Sequence, residues 1–150
     1  MGADPTKIIA ALDIGTNSFH LVVAKPVETG FEVITTENDV VRLGHGAGDM
    51  KQLEPDAIER GLSSLKRMRE IAATNNADLR AVATSAVREA KNRGEFIKRA
   101  RKEAGVEIEV ISGIEEARLI YMGAKYGVAV GDQPMLLVDI GGGSTEVAVI

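Results

Sequence analysis

Two segments of the chain follow one pattern: Ala11 to Ala24 reads ALDIGTNSFHLVVA, and Leu137 to Ile150 reads LVDIGGGSTEVAVI. At a shift of 126 residues, Asp13, Ile14, Gly15 and Ser18 meet Asp139, Ile140, Gly141 and Ser144. Each copy is a short apolar strand, an Asp at its end, a tight turn with glycine and hydroxyls, and a second strand. No other feature constrains the fold as strongly. The chain must present the same kind of hairpin twice.

The unit has a chemistry of its own. Glycine lets a turn reach φ > 0 and lets a ligand approach bare backbone. Successive N–H groups in such a turn form an anion-binding concavity. The hydroxyls of Thr16, Ser18, Ser144 and Thr145 add donors. A carboxylate at the strand end can hold a hard cation, or its waters, beside a bound phosphate. The plain alternative is a pair of ordinary glycine-turn hairpins. Two copies with Asp in the same place favour a phosphate cradle built in duplicate, from Gly15, Thr16, Asn17 and Ser18 and from Gly141, Gly142, Gly143, Ser144 and Thr145.

Between the copies the apolar pattern alternates between strand and helix. Strands are expected at Lys7 to Leu12, Phe19 to Lys25, Phe31 to Thr36 and, briefly, Val40 to Leu43. Pro55 is placed to open a helix. Ile58, Leu62, Leu65, Met68 and Ile71 then form one apolar stripe. Leu79 to Ala83 reads as a strand, and Thr84-Ser85 as cap residues for a short helix carrying Arg88. Asn92 with Glu95 fits a capping box, Gly105 a helix stop, and Val106 to Ile111 a strand. Ser112 with Glu115 is a second capping box, opening a helix to about Tyr126. Met135 to Val138 and Thr145 to Ile150 are the last strands. The order suits a mixed sheet with helices packed on it. The connection Gly127 to Pro134 marks an expected domain boundary. The expected division is 1–130, with the first loop, and 131–150, the start of a second unit with the second loop.

Composition excludes several classes. The chain of 150 residues has no cysteine, so disulfides, thiolate metal sites and a cysteine nucleophile are out. That fits a cytoplasmic location. Its longest apolar runs are far too short to span a bilayer, and its start lacks a signal-peptide layout. A net charge of −4 argues against nucleic acid as a partner, but not against one phosphate compound in a locally positive site.

The intervening segments narrow the reading. Ala83-Thr84-Ser85-Ala86-Val87-Arg88 with Ala90-Lys91-Asn92, then Ile111-Ser112-Gly113 with Glu115-Glu116-Ala117-Arg118-Leu119-Ile120, then Asp139 to Glu146, occur in that order. With the two loops, they resemble the exopolyphosphatase / guanosine pentaphosphate phosphohydrolase (Ppx/GppA) family of the actin-like ATPase superfamily. The resemblance runs from about Lys7 to Ile150. It implies an α/β fold of the actin-like ATPase (ribonuclease H-like) kind. It also implies removal of terminal phosphate from inorganic polyphosphate or guanosine pentaphosphate by metal-assisted attack of water. Family members continue further, so the resemblance implies an N-terminal part that is inactive alone.

Glu115 is the natural capping partner of Ser112. Glu116 lies about 100° further round the helix and is free for other work. Spacing alone makes Glu116 a solvated first-turn carboxylate; the resemblance makes it the catalytic glutamate that polarises water. Arg88 is a surface ion pair or a bidentate phosphate ligand on its own evidence, and a phosphate ligand by the resemblance. Asp13, Asp139 and Glu146 are the candidate metal ligands; an all-oxygen set suits Mg²⁺ or another hard divalent cation. His20 and His45 lack partners at metal-ligand spacing, and His45 reads as simply exposed. The run Lys98 to Lys102 reads as a solvated helix face. The oligomeric state is unreadable, and a homodimer stays among the partners considered. Two other functions share the loops: an actin-like ATPase or sugar kinase, and a non-catalytic phosphate or nucleotide sensor. The Arg88 and Glu116 segments disfavour the first. Clustered carboxylates beside an anion disfavour the second.

Overall fold

A computed structural model describes residues 7–46, 51–127 and 134–149. The first three strands are a meander of β1 (Ile9–Ile14), β2 (Phe19–Val27) and β3 (Gly30–Asp39). Then come α1 (Pro55–Thr74), β4 (Asp78–Ala83), α2 (Ser85–Glu89), α3 (Arg93–Arg99), a π-helical turn over Ala100–Ala104, β5 (Ile108–Val110) and α4 (Gly113–Gly127). The chain ends in β6 (Leu136–Ile140) and β7 (Thr145–Val149).

Five strands form a mixed sheet in the order β3-β2-β1-β4-β5. β2 is antiparallel to β1 and β3, whereas β4 is parallel to β1 and β5. β6 and β7 form a separate antiparallel pair.

The period-2 alternation along β1 and β2 decides which face is covered. Ala10, Leu12, Ile14, Phe19, Leu21 and Val23 are buried, and so are Ala81 and Ala83 of β4. Onto them pack Ile58, Leu62, Leu65 and Met68 of α1, with Phe96 of α3. Gly61 keeps that contact close, since a Cβ there would sit 3.1 Å from the Phe96 ring.

The other sheet face is lightly covered. α4 has no buried residue. Its far end is pinned to the β2–β3 turn: the Tyr126 ring stacks on Phe31 at 4.8 Å, and its hydroxyl donates to the Thr29 carbonyl and accepts from the Phe31 N–H. Gly30, at φ 122°, fits both the turn and the ring, because a Cβ would overlap the Tyr126 hydroxyl.

Several local expectations change. Val40 to Leu43 is not a strand; the chain leaves the sheet after Asp39 and turns over Leu43 to Gly46. Asn92 does not cap α3. Its side-chain amide clamps the Leu53 backbone, donating to the carbonyl and accepting from the N–H, each at 2.9 Å. A long-range backbone clamp replaces the local cap. β5 is shorter than expected, and Gly105 stops the preceding helix in the left-handed region, as expected. The expected boundary between Gly127 and Pro134 falls largely on 128–133, outside the described residues.

Candidate active site

The two hairpins repeat each other down to single hydrogen bonds. In the first loop the Gly15 N–H donates to the Ser18 carbonyl at 3.1 Å; in the second the Gly141 N–H donates to the Ser144 carbonyl at 2.9 Å. Asp13 lies opposite His20 across β1–β2, and Asp139 lies opposite Glu146 across β6–β7.

Glycine is needed here for space rather than for a left-handed backbone. Positive φ among glycines of the described residues occurs at Gly30, Gly46 and Gly105, so the expectation of φ > 0 in the phosphate loops fails. A Cβ on Gly15 would come within 2.8 Å of the Ser18 carbonyl oxygen. A Cβ on Gly142 would meet the Asn17 amide at 2.5 Å, and one on Gly143 would meet Thr16 Oγ1 at 2.7 Å. The two loop tips therefore face each other at a distance only bare backbone allows. Ser85 of α2 anchors the second tip, donating from Oγ to the Gly143 carbonyl at 3.0 Å. Thr84 and Ser85 were expected as caps, but neither side chain caps α2.

Between the loops lies a cavity of about 310 Å³. Its lining includes Asp13, Gly15, Thr16, Asn17, Ser18, Glu116, Asp139, Gly141, Gly142, Gly143 and Ser144. Thr145, Glu146 and Arg88 are not in that lining. Arg88 instead reaches Glu116 from behind: its Nη1 donates to Glu116 Oε2 at 2.8 Å and to the Ile111 carbonyl at 3.1 Å. Both side chains are mostly buried, at 20% and 12% exposure, so the pair is held in one geometry rather than loosely solvated. The guanidinium also borders a neighbouring cavity with Gly142, Gly143 and Ser144.

Glu115 and Glu116 part company as their helical positions dictate. The Ser112 hydroxyl accepts from the Glu115 N–H at 3.1 Å, which is one half of the expected capping box. The Glu115 carboxylate makes the other half fail. It turns outward to Arg118 at 2.7 and 2.8 Å, and that guanidinium holds it below the usual carboxylate range. Glu116 faces the cavity.

Burial pushes the Asp13 carboxyl above its ordinary range; His20 opposes this, while Glu116 and Asp139 push the same way. Asp13 is nonetheless a solvent-exposed residue, which moderates that push. Among the described residues no three His, Cys, Asp or Glu side chains converge into a ready metal cage. Asp13, Asp139 and Glu146 are therefore not a preformed three-ligand site. They do fit Mg²⁺, which keeps several waters and needs only one or two carboxylates with a phosphate. Glu146 adds an observation in favour: its Oε2 is buried with no hydrogen-bond partner, which leaves an acceptor to be satisfied.

Residue-by-residue reading missed His20, which lines the cavity. The signal was present, because the 126-residue shift places His20 on Glu146.

A family profile described as Ppx/GppA phosphatase family matches residues 22–150. An exopolyphosphatase from Cytophaga hutchinsonii superposes with a TM-score of 0.92 at 35% identity, covering 95% of this chain and 46% of that one. The Aquifex aeolicus PPX-GPPA enzyme gives 0.85 at 32% identity, covering 95% and 48%. The chain thus spans about half the length of these solved structures. The ethanolamine utilization protein EutJ from Carboxydothermus hydrogenoformans shares the actin-like fold alone, at a TM-score of 0.55 and 16% identity over 99% of this chain and 49% of that one.

Proposed function

The chain belongs to the Ppx/GppA phosphatase family, and on that premise we propose that it supplies the catalytic cradle of a phosphohydrolase. The substrate is inorganic polyphosphate, guanosine pentaphosphate or both, and the product is the terminal phosphate. The observation that carries this reading is the single cavity in which both loops, Asp13, Asp139 and Glu116 meet. A terminal phosphate seated between the loops is met by backbone N–H groups and by the hydroxyls of Thr16, Ser18 and Ser144. Glu116 accepts a proton from a water whose oxygen attacks the terminal phosphorus in line. The bond from that phosphorus to the bridging oxygen breaks, and the shortened chain leaves. Arg88 fixes the Glu116 carboxylate and shares a cavity wall with Gly142, Gly143 and Ser144 of the second loop. Asp13, Asp139 and Glu146 would hold Mg²⁺, which when bound neutralises charge on the phosphoryl oxygens.

The division at residue 130/131 belongs to the same proposal. So does a cytoplasmic location, supported by the absence of cysteine. Among the described residues no helix is long and apolar enough to cross a membrane.

The test is a pair of substitutions in a protein of the relatives' length. Glu116→Gln keeps the shape and loses the base, so phosphate release from polyphosphate should fall by about 10²–10⁴-fold with substrate binding nearly intact. Glu115→Gln should be mild, because the Ser112 contact uses the Glu115 backbone. If Glu115→Gln is the dead variant, the assignment is wrong.

A further inference from the structure

The reacting cavity has two larger neighbours, and a phosphate chain needs a way out past the terminal group. One neighbour, about 410 Å³, carries Lys51 and Arg88. The other, about 620 Å³, lies between the first loop and the turn after β3 and carries Arg42 and His45. Both share Thr16 and Gly142 with the lining of the cradle, so either lies directly beside it. Volume does not decide between them; charge does.

In the first neighbour the cations are already paired. Lys51 binds Glu89 at 3.0 Å, and Arg88 binds Glu116 at 2.8 Å with Glu89 at 3.6 Å. A polyanion entering there meets carboxylates as well as cations. Among the described residues, no carboxylate lines the wall of the second, and Arg42 has no acidic partner within 4.0 Å. The basic run Lys98 to Lys102 does not compete. Arg99 is bound to Glu59 and Glu103, and Arg101 to Glu107.

The loop that carries Arg42 is also built. Its Arg42 N–H donates to the Asn17 carbonyl at 2.7 Å, and its Gly44 N–H to the Thr16 carbonyl at 3.0 Å, so it is bonded directly to the first phosphate loop. From the other side Arg60 of α1 donates to the Val41 carbonyl at 2.9 Å and is itself held by Asp56. Arg42 sits at φ 53°, a left-handed backbone that a bulky residue rarely adopts. Nothing in the packing of its exposed side chain explains an arginine there.

We propose that the Arg42–His45 cavity is a second anion subsite, which takes the phosphate groups trailing behind the terminal one. The inference rests on the phosphohydrolase reading for the identity of the ligand, and on geometry for the path. Arg42 meets the non-bridging oxygens through its planar fork, and the imidazole of His45 adds a donor. The cradle itself binds the terminal phosphate without them.

The experiment is calorimetric binding to the 150-residue chain, comparing orthophosphate, which the cradle binds without Arg42, with long-chain polyphosphate, which spans both sites. Arg42→Asn removes the charge and keeps a residue that tolerates the left-handed backbone. It should weaken long-chain binding by at least about tenfold, or about 1.4 kcal/mol, and leave orthophosphate within about twofold. Arg42→Lys should restore most of the long-chain affinity. Lys51→Gln should change neither. Unchanged long-chain affinity in Arg42→Asn overturns the subsite. So does an equal loss for both ligands that lysine does not rescue, and so does a long-chain loss in Lys51→Gln. The two readings fail separately. Hydrolysis that depends on Glu116 but ignores Arg42 sinks the subsite alone. Chain-length selectivity at Arg42 with no Glu116-dependent hydrolysis sinks the phosphohydrolase reading alone. No phosphate binding by the unaltered chain sinks both.

Discussion

The two Asp–Gly hairpins share turn, register and hydrogen bond, yet they differ in what holds them. β1–β2 lies in the middle of a five-stranded sheet, and Leu12, Ile14, Phe19 and Leu21 are at most 1% exposed. β6–β7 stands as a two-stranded sheet, with Leu136 at 65%, Ile140 at 78% and Val149 at 79% exposure. It meets the rest at its loop tip, where Ser85 bonds Gly143 and Gly142 lies against Asn17, and along β7, which runs beside α4. The comparison teaches that the shape of such a glycine turn is local, whereas its rigidity is borrowed. An isolated two-stranded hairpin is marginal in water.

The largest expected contrast is in stability. Phe19→Ala should cost about 3–5 kcal/mol, because it empties a fully enclosed core position. Val147→Ala, on a strand residue that is 59% exposed, should stay within about 0.5 kcal/mol. Urea unfolding of the two variants reads both numbers, and similar losses would show that the second hairpin is held as firmly as the first.

A loosely held second loop also predicts slow chemistry. The 150-residue chain should release phosphate from polyphosphate, with Mg²⁺ present, at least about 10²-fold more slowly than a protein of the relatives' length, since misplacement by about 1 Å has that effect. Equal rates would mean that Asp139 and the Gly141–Ser144 turn are already fixed relative to Glu116.

The smallest contrast isolates the turns themselves. A Cβ on Gly15 would meet the Ser18 carbonyl oxygen at 2.8 Å, inside a sheet that cannot yield. On Gly141 the matching distance is 3.3 Å, in a hairpin free to give. Gly15→Ala should therefore cost about 1–3 kcal/mol, as overpacking does, and Gly141→Ala under about 1 kcal/mol. Thermal unfolding checks it; the reverse order would mean that the first turn is the more pliable one.

Several features were legible before any coordinates. The strands at Lys7 to Leu12 and Phe19 to Lys25 were readable as apolar runs, and the stripe Ile58, Leu62, Leu65 and Met68 on α1 as core; which strand face is covered came from the fold. Pro55 and Gly105 marked a helix start and stop. The capping readings fared worse. Asn92 has the right spacing for a cap, but its amide binds Leu53, 39 residues away in sequence. Glu115 was half legible: Ser112 caps its N–H, while Arg118, three residues on, takes its carboxylate. A cap competes with every partner the fold brings near, and sequence spacing shows only the local one.

The sequence by itself determined which residue types stand in the loops, that the loops come in pairs, and that Glu116 rather than Glu115 is spare. Those follow from local rules: the reach of a turn, the period of a strand, the angle between helix positions. Only the tertiary structure decided that the loop tips close on each other, that Arg88 spends its charge on Glu116, and that Arg42 beside the first loop finds no carboxylate among the described residues. Pairing of charges is set by distances between segments far apart in the chain. Those distances exist only once the sheet has ordered its strands.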